Sequence, residues 1–435
     1  MTTQTVTIDK AIQRRNLKVL MGGVVPAGAG TAAGYSAAAV LGKELSGSES
    51  LGTFAAVCMP IGGTIAAVPL AAYMSAHGRR PGMRLAWAMA AFGAFLAFLA
   101  AVTGLYILLP PAMLSFGLGN AANLSARYAA ADVASEADRA KTIGTLVWSG
   151  TFGSALGPTL GLGIAGTIAL KFGLPELAGP YVMAGLLFLF ASVFIDRFLR
   201  PDPLELVGGI IPPDPAKASQ SSLRTIGSHF ANAARPISDI VAHPSARLAV
   251  AAMVIGQAVM VAVMTATPLH MKEGAHELRI IGIVISVHII GMYFFSPVVG
   301  WLVDRIGARL VIGLGGIILF IGSEMASHTR AVDRNGVLFG LFLVGLGWSF
   351  GLIAGSTLLV GAFDATHRVA IQGAADLMMN GAGAIAGISA GILYEFRSYQ
   401  DLSHYAGIIA LGLTAYAAWR ILQVSRAADP ASQLG

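Results

Sequence analysis

The sequence predicts an all-α membrane protein of twelve transmembrane helices arranged as two pseudo-symmetric six-helix bundles. Three observations carry that reading. First, 55% of the 435 residues are hydrophobic and only 11% are charged, whereas an ordinary soluble domain has about 25% charged residues. Second, apolar stretches of about 20 residues recur from end to end, each long enough to cross a bilayer as a helix. Third, the period-2 alternation of a membrane barrel is missing, and the segments are about twice the length of a barrel strand.

In chain order the spans fall at about 17–42, 51–76, 85–108, 111–131, 143–170, 179–197, 248–269, 279–302, 310–328, 337–361, 370–395 and 404–423. The leading stretch MTTQTVTIDKAIQRR is polar. The apolar segment after it has no convincing cleavage site, so it reads as a retained first span. Most of the 54 glycines fall inside spans, where small residues let helices approach closely. With a cytoplasmic N-terminus, 20 of the 28 Lys and Arg residues lie in inside segments, 7 lie outside, and Arg127 lies within a span. The bias predicts both termini in the cytoplasm. The net charge of +6 then reflects topology. No basic run interleaved with aromatics marks a nucleic-acid surface. The lone cysteine, Cys58, excludes a disulfide within the chain. It reads as a small buried apolar residue.

The longest polar stretch, residues 198–246, is rich in Pro, Ser and charge and reads as a cytoplasmic linker. It separates an N-terminal bundle, 1–197, from a C-terminal bundle, 247–435. Part of SHFANAARPISDIVAHP in that linker suits a short amphipathic helix on the membrane surface. The halves echo each other. ADRAKTIGTLVWSGTFGSALG follows span four and THRVAIQGAADLMMNGAGAIAG follows span ten. Each has a basic turn and then a face of small residues. Weak symmetry between six-span halves is a transporter signature. No phosphate loop follows a strand and no nucleophile–base pair stands out, so neither an enzyme nor ATP coupling is expected.

GWLVDRIGAR, Gly300 to Arg309, resembles the loop between spans eight and nine of the major facilitator superfamily. Gly300, Asp304, Arg305, Gly307 and Arg309 fit its pattern. Gly307 permits a tight turn, and Asp304 with the arginines suits charge pairing at a gate. The first-half counterpart YMSAHGRRPGMR keeps Gly78, Arg79 and Arg80 but has Ser75 where that family usually has Asp. GSALGPTLG, Gly153 to Gly161, resembles the superfamily's fifth-span glycine-proline motif, which makes a bend and a close helix contact. The resemblance implies alternating access around a central site.

Charges within spans are costly and usually functional. Arg127, Asp376 and Asn380 are the main intramembrane candidates, for structural pairing or for a substrate or proton role. Glu324 lies near a span end. In span seven MVAVM places Met260 and Met264 four residues apart, and in span eight HIIGM does the same for His288 and Met292. Such pairs lie on one helix face. If the two spans form an antiparallel hairpin, residues at equal depth share an index sum. Met264 is then level with His288, and Met260 with Met292. Three thioethers and one imidazole suit Cu(I), because all four bind as neutral groups and sulfur is soft. Methionines at helical spacing also serve as flexible packing, and the residues alone leave both readings open.

The paired Met and His-Met motifs, with 28 residues between their starts, are similar to those of CcoA-type copper importers within the superfamily. That resemblance implies that Met260, Met264, His288 and Met292 are copper ligands. It also implies copper uptake across the bacterial inner membrane to supply cytochrome oxidase assembly. Copper would be the transported substrate, with no resident cofactor. The lipid bilayer would be the other partner, and copper donor or acceptor proteins are unknown. A monomer is expected. His270 and Met271, at the outer end of a stripe that includes Met253, suit metal capture, and Cys58 with Met59 forms another soft pair. Close relatives in the same branch import riboflavin. A riboflavin or other small organic solute importer is therefore the alternative, with Trp148, Trp348 and Tyr293 holding a ring.

Overall fold

The computed structural model describes residues 8–211, 234–276 and 278–428. Among these there is no strand, and twelve helices are long and apolar enough to cross a membrane. The spans are Lys10–Ser46, Glu49–His77, Arg79–Thr103, Leu109–Asp132, Arg139–Pro158 with its continuation to Lys171, Ala178–Phe198, Pro244–Glu273, Leu278–Tyr293 followed by Ser296–Ile306, Ala308–Ser327, Arg334–Ala362, Ala365–Phe396 and Tyr399–Ala428.

Hydropathy locates these spans but not their caps. Span one starts at Lys10, ahead of the apolar stretch, because the Asp9 carboxylate accepts from Ala11 N at 3.0 Å. Such a cap satisfies one of the unpaired N–H groups at a helix start. Span three starts at Arg79, six residues before the sequence-based limit of 85, and ends where Gly104 turns left-handed at φ 74°. In span five Pro158 has no N–H to donate, and the helix widens into a π-helical stretch, Thr159–Ala165. Before that stretch, Gly153 lies so close to span one that a methyl group there would sit 2.4 Å from the Val25 carbonyl oxygen.

The chain divides into two compact units. The first comprises Met1–Ser135, Ser149–Asp239 and Phe363–Leu377; the second comprises Glu136–Trp148, Ile240–Ala362 and Met378–Gly435. In the first, span one packs on spans two, four and six, and span three packs on four and six. In the second, span ten is the hub, with spans seven, eight and nine against it, while span twelve covers seven and nine. Spans seven and eight therefore do not form the tight hairpin expected from sequence. Each packs mainly on span ten, which offers glycine-lined grooves to both. Of the linker, residues 212–233 lie outside the described residues, and so does part of the expected surface helix. Its described part is the helix Ala234–Ala242, with Ile240 buried and Ser238 and Asp239 exposed.

Candidate functional site

Span ten gathers the soft residues of the second unit. His288 is fully buried, and its Nδ1 lies 2.7 Å from the Leu341 carbonyl oxygen. A carbonyl only accepts, so Nδ1 carries the proton and Nε2 is a bare lone pair. Nε2 is buried and has no hydrogen-bond partner among the described residues. Gly345 creates the space for this ring: a methyl there would sit 2.5 Å from the His288 carbonyl oxygen, 3.1 Å from Nδ1 and 3.2 Å from Met292 Cγ. His288 and Met292 are thus brought together on one face of span ten. Met260 is buried and Met264 half-buried on span seven. That helix runs antiparallel to span ten, with Gly256 over Trp348 and Ala252 over Gly351. Met260 and Met264 lie about one and two turns beyond Gly256 on that helix.

An aromatic and amide layer adjoins the thioethers. Trp348 donates from Nε1 to Gln257 Oε1 at 2.7 Å, and Tyr293 packs edge-on to the indole at 5.7 Å. Ser296 and Ser349, both buried, are 3.2 Å apart through their hydroxyls. Among the described residues no group of three or more His, Cys, Asp or Glu side chains is placed to hold a metal ion. A metal site here would depend on thioethers and one imidazole.

The first unit holds charge instead. Arg127 and Asp376 are buried and directly paired, and Arg127 also donates to Tyr128 Oη at 2.9 Å and to the Leu124 carbonyl. Arg79 pairs with buried Asp132 at 2.9 Å and donates to Gln372 Oε1, while Arg368 lies 3.6 Å from the second Asp132 oxygen. Asn380 is half-buried and falls in the second unit. Gln257 and Gln372 were not singled out from sequence. A signal was available for Gln257, the lone amide of span seven, whereas Gln372 shares span eleven with Asn380.

The two loops that resemble the superfamily's motif differ. In the second half, Gly307 turns at φ 88°, and Asp304 accepts from Ala140 N and Lys141 N at 3.1 and 2.9 Å. The expected pairing of Asp304 with its neighbouring arginines is not what the loop does. The carboxylate caps the start of span five, where unpaired N–H groups and the helix dipole attract an anion. Arg305 lies over Trp301 at 5.1 Å, and Arg309 donates to Ser245 Oγ at 3.2 Å. Gly300 is needed because a methyl there would sit 2.4 Å from the Ala140 carbonyl oxygen. In the first half Gly78 turns at φ 102°, and Arg80 lies 3.7 Å from Asp196. Asp202, from beyond span six, accepts from Arg79 N and Arg80 N.

At the far end of span seven, His270 is buried, stacked on Tyr399 at 4.2 Å and hydrogen-bonded through Nε2 to the Thr329 carbonyl oxygen at 3.3 Å. It lines a cavity of about 260 Å³ with Glu273, Arg330, Tyr394 and Arg397. Met271 is fully buried and is not part of that wall. Cys58 is a free, buried thiol.

Twelve apolar helices define a multi-pass membrane protein. The sequence profile of the Major Facilitator Superfamily matches residues 20–279 and 248–433, and the chain belongs to that family. It is 32% identical over 411 residues, 94% of this chain and 93% of the relative, to the uncharacterized MFS-type transporter YdeG of Bacillus subtilis (strain 168). It is 24% identical over 395 residues, 91% of this chain and 93% of the relative, to the riboflavin transporter RfnT of Brucella anthropi. Its fold matches the crystal structure of the human organic anion transporter MFSD10 with a TM-score of 0.74 at 15% identity, covering 93% of this chain and 99% of that one.

Proposed function

We propose that this transporter imports copper as Cu(I) across a bacterial cytoplasmic membrane by alternating access, with both termini inside. Met260, Met264, His288 and Met292 hold the ion. The observation that carries the proposal is His288. Metal-ligating imidazoles commonly donate one ring N–H to a backbone carbonyl, which fixes the ring and leaves the other nitrogen for the metal. His288 has that arrangement, with a bare, buried Nε2 and Met292 one turn away. Neutral soft ligands favour Cu(I) over Zn²⁺ or hard cations. With no thiolate in the set, release is easier than from a cysteine trap, and a carrier has to release what it binds. The direct test is radioactive copper uptake by cells carrying wild type, Met264→Ala or His288→Ala. Both variants are expected to lose at least tenfold in uptake. Undiminished uptake in both defeats the assignment.

A second reading has its own support. The layer of Trp348, Gln257 and Tyr293 suits a flat, hydrogen-bonding ring, and the relative at 24% identity is named a riboflavin transporter. Riboflavin uptake by the same cells, without copper uptake, selects that reading.

A further inference from the structure

Ser75 stands in the first-half loop where Asp304 stands in the second-half loop, and Asp304 caps a helix start. The first-half loop therefore lacks an acid of its own. The chain following span six runs across that loop. Arg15 of span one holds it through the Arg200 carbonyl at 2.7 Å, and Leu199 and Leu204 are fully buried. Asp202 is 6% exposed and accepts three backbone N–H groups. Arg79 N at 3.1 Å and Leu204 N at 2.8 Å reach Oδ1, and Arg80 N at 2.7 Å reaches Oδ2. Further on, Ile211 N donates to the carbonyl of Ser75 itself at 2.9 Å. A methyl at Gly209 would sit 3.0 Å from the carbonyl oxygen of Ala365, the first residue of span eleven. One short strap thus touches the loop that lacks its acid, the start of span three and the start of span eleven.

We propose that Asp202 is the positioning residue of the first-half gate: it supplies, from the head of the linker, the carboxylate that position 75 lacks. The reason is local electrostatics. The first turn of span three has unpaired N–H groups and two arginines. A buried carboxylate taking two of those N–H groups fixes the turn from which the Arg79 side chain reaches Asp132 and Gln372. A cap serving only the strap's own short turn Pro203–Leu206 would need Leu204 N alone. The bonds to Arg79 and Arg80, and that of Ile211 to Ser75, lie outside that role. The inference rests on the transporter class and not on the cargo.

Hydrogen exchange read by mass spectrometry on the full-length protein in lipid nanodiscs tests it. Asp202→Asn should speed exchange at residues 76–84 and 365–372 at least tenfold. Residues 139–146 and 300–309, the second-half equivalents, should stay unchanged. Asp202→Glu should retain most of the protection, and Asp202→Ser, with the same speeding expected, is the test variant if Asp202→Asn does not fold. Adding Ser75→Asp to Asp202→Asn should restore protection at both segments, which a merely structural strap would not do. Unchanged exchange at residues 76–84 in Asp202→Asn overturns the proposal. So does failure of Ser75→Asp to restore it, or equal loosening of the second-half segments.

Discussion

The two units bury different chemistry. In the first, Arg79, Arg127, Asp132, Asp202 and Asp376 are all buried. In the second, the buried polar side chains among the described residues are hydroxyls and imidazoles, including Thr267, His270, His288, Ser296, Ser349 and Ser356. A buried charge is tolerable only while its partner is present, so the first unit is brittle toward single substitutions. A neutral, soft column costs little to desolvate, so the second unit is sensitive to shape more than to charge. The difference teaches where each unit is vulnerable: the first to loss of a charge partner, the second to a change of shape.

The largest effect should come from halving a pair in the first unit. Asp376→Asn leaves the Arg127 charge buried without its carboxylate, at a cost of about 3–5 kcal/mol. Thermal unfolding in detergent should show a clear drop. A double variant, Arg127→Met with Asp376→Leu, should recover most of that stability, because packed apolar residues often replace a buried pair at little cost. Recovered stability without recovered uptake would mark the pair as functional. Recovery of both would reduce it to scaffolding.

A shape change in the second unit should come next. Gly345→Ala pushes a methyl against the His288 carbonyl and ring. Overpacking of this kind costs about 1–3 kcal/mol. The expected result is a tenfold or greater loss of copper uptake with a modest fall in unfolding temperature. Wild-type uptake would show that the notch does not set the position of His288.

The smallest effect belongs to the aromatic layer. Trp348→Phe removes one hydrogen bond to Gln257, worth about 1 kcal/mol. Copper uptake should be nearly unchanged. If riboflavin is the cargo, riboflavin uptake should fall sharply in this variant instead, so one substitution separates the two readings.

Much of this was legible in the sequence. All twelve spans were, because a bilayer demands long apolar helices and the chain complies. Gly307 was legible as a turn, and Arg127 and Asp376 as costly charges. Their pairing was not, since they lie 249 residues apart in sequence. Spans seven and eight are adjacent in sequence, which makes them look like partners, but glycine-lined span ten is the main neighbour of both. Asp202 was the least visible. It lies in a polar linker, 123 residues from Arg79, and its importance comes from backbone N–H groups that no residue pattern announces.

Span eight holds one further consequence. Its first helix ends at Tyr293, and a second begins at Ser296 with Pro297 in its first turn. Proline cannot donate the bond that would make the two helices continuous. His288 and Met292 therefore ride on one rod, and Asp304 rides on another. At 1.5 Å of rise per residue, Met292 and Asp304 are at most about 18 Å apart along the axis. The break at Phe294 and Phe295 gives the span the form of an elbow: the forearm caps the start of span five, and the upper arm carries the imidazole.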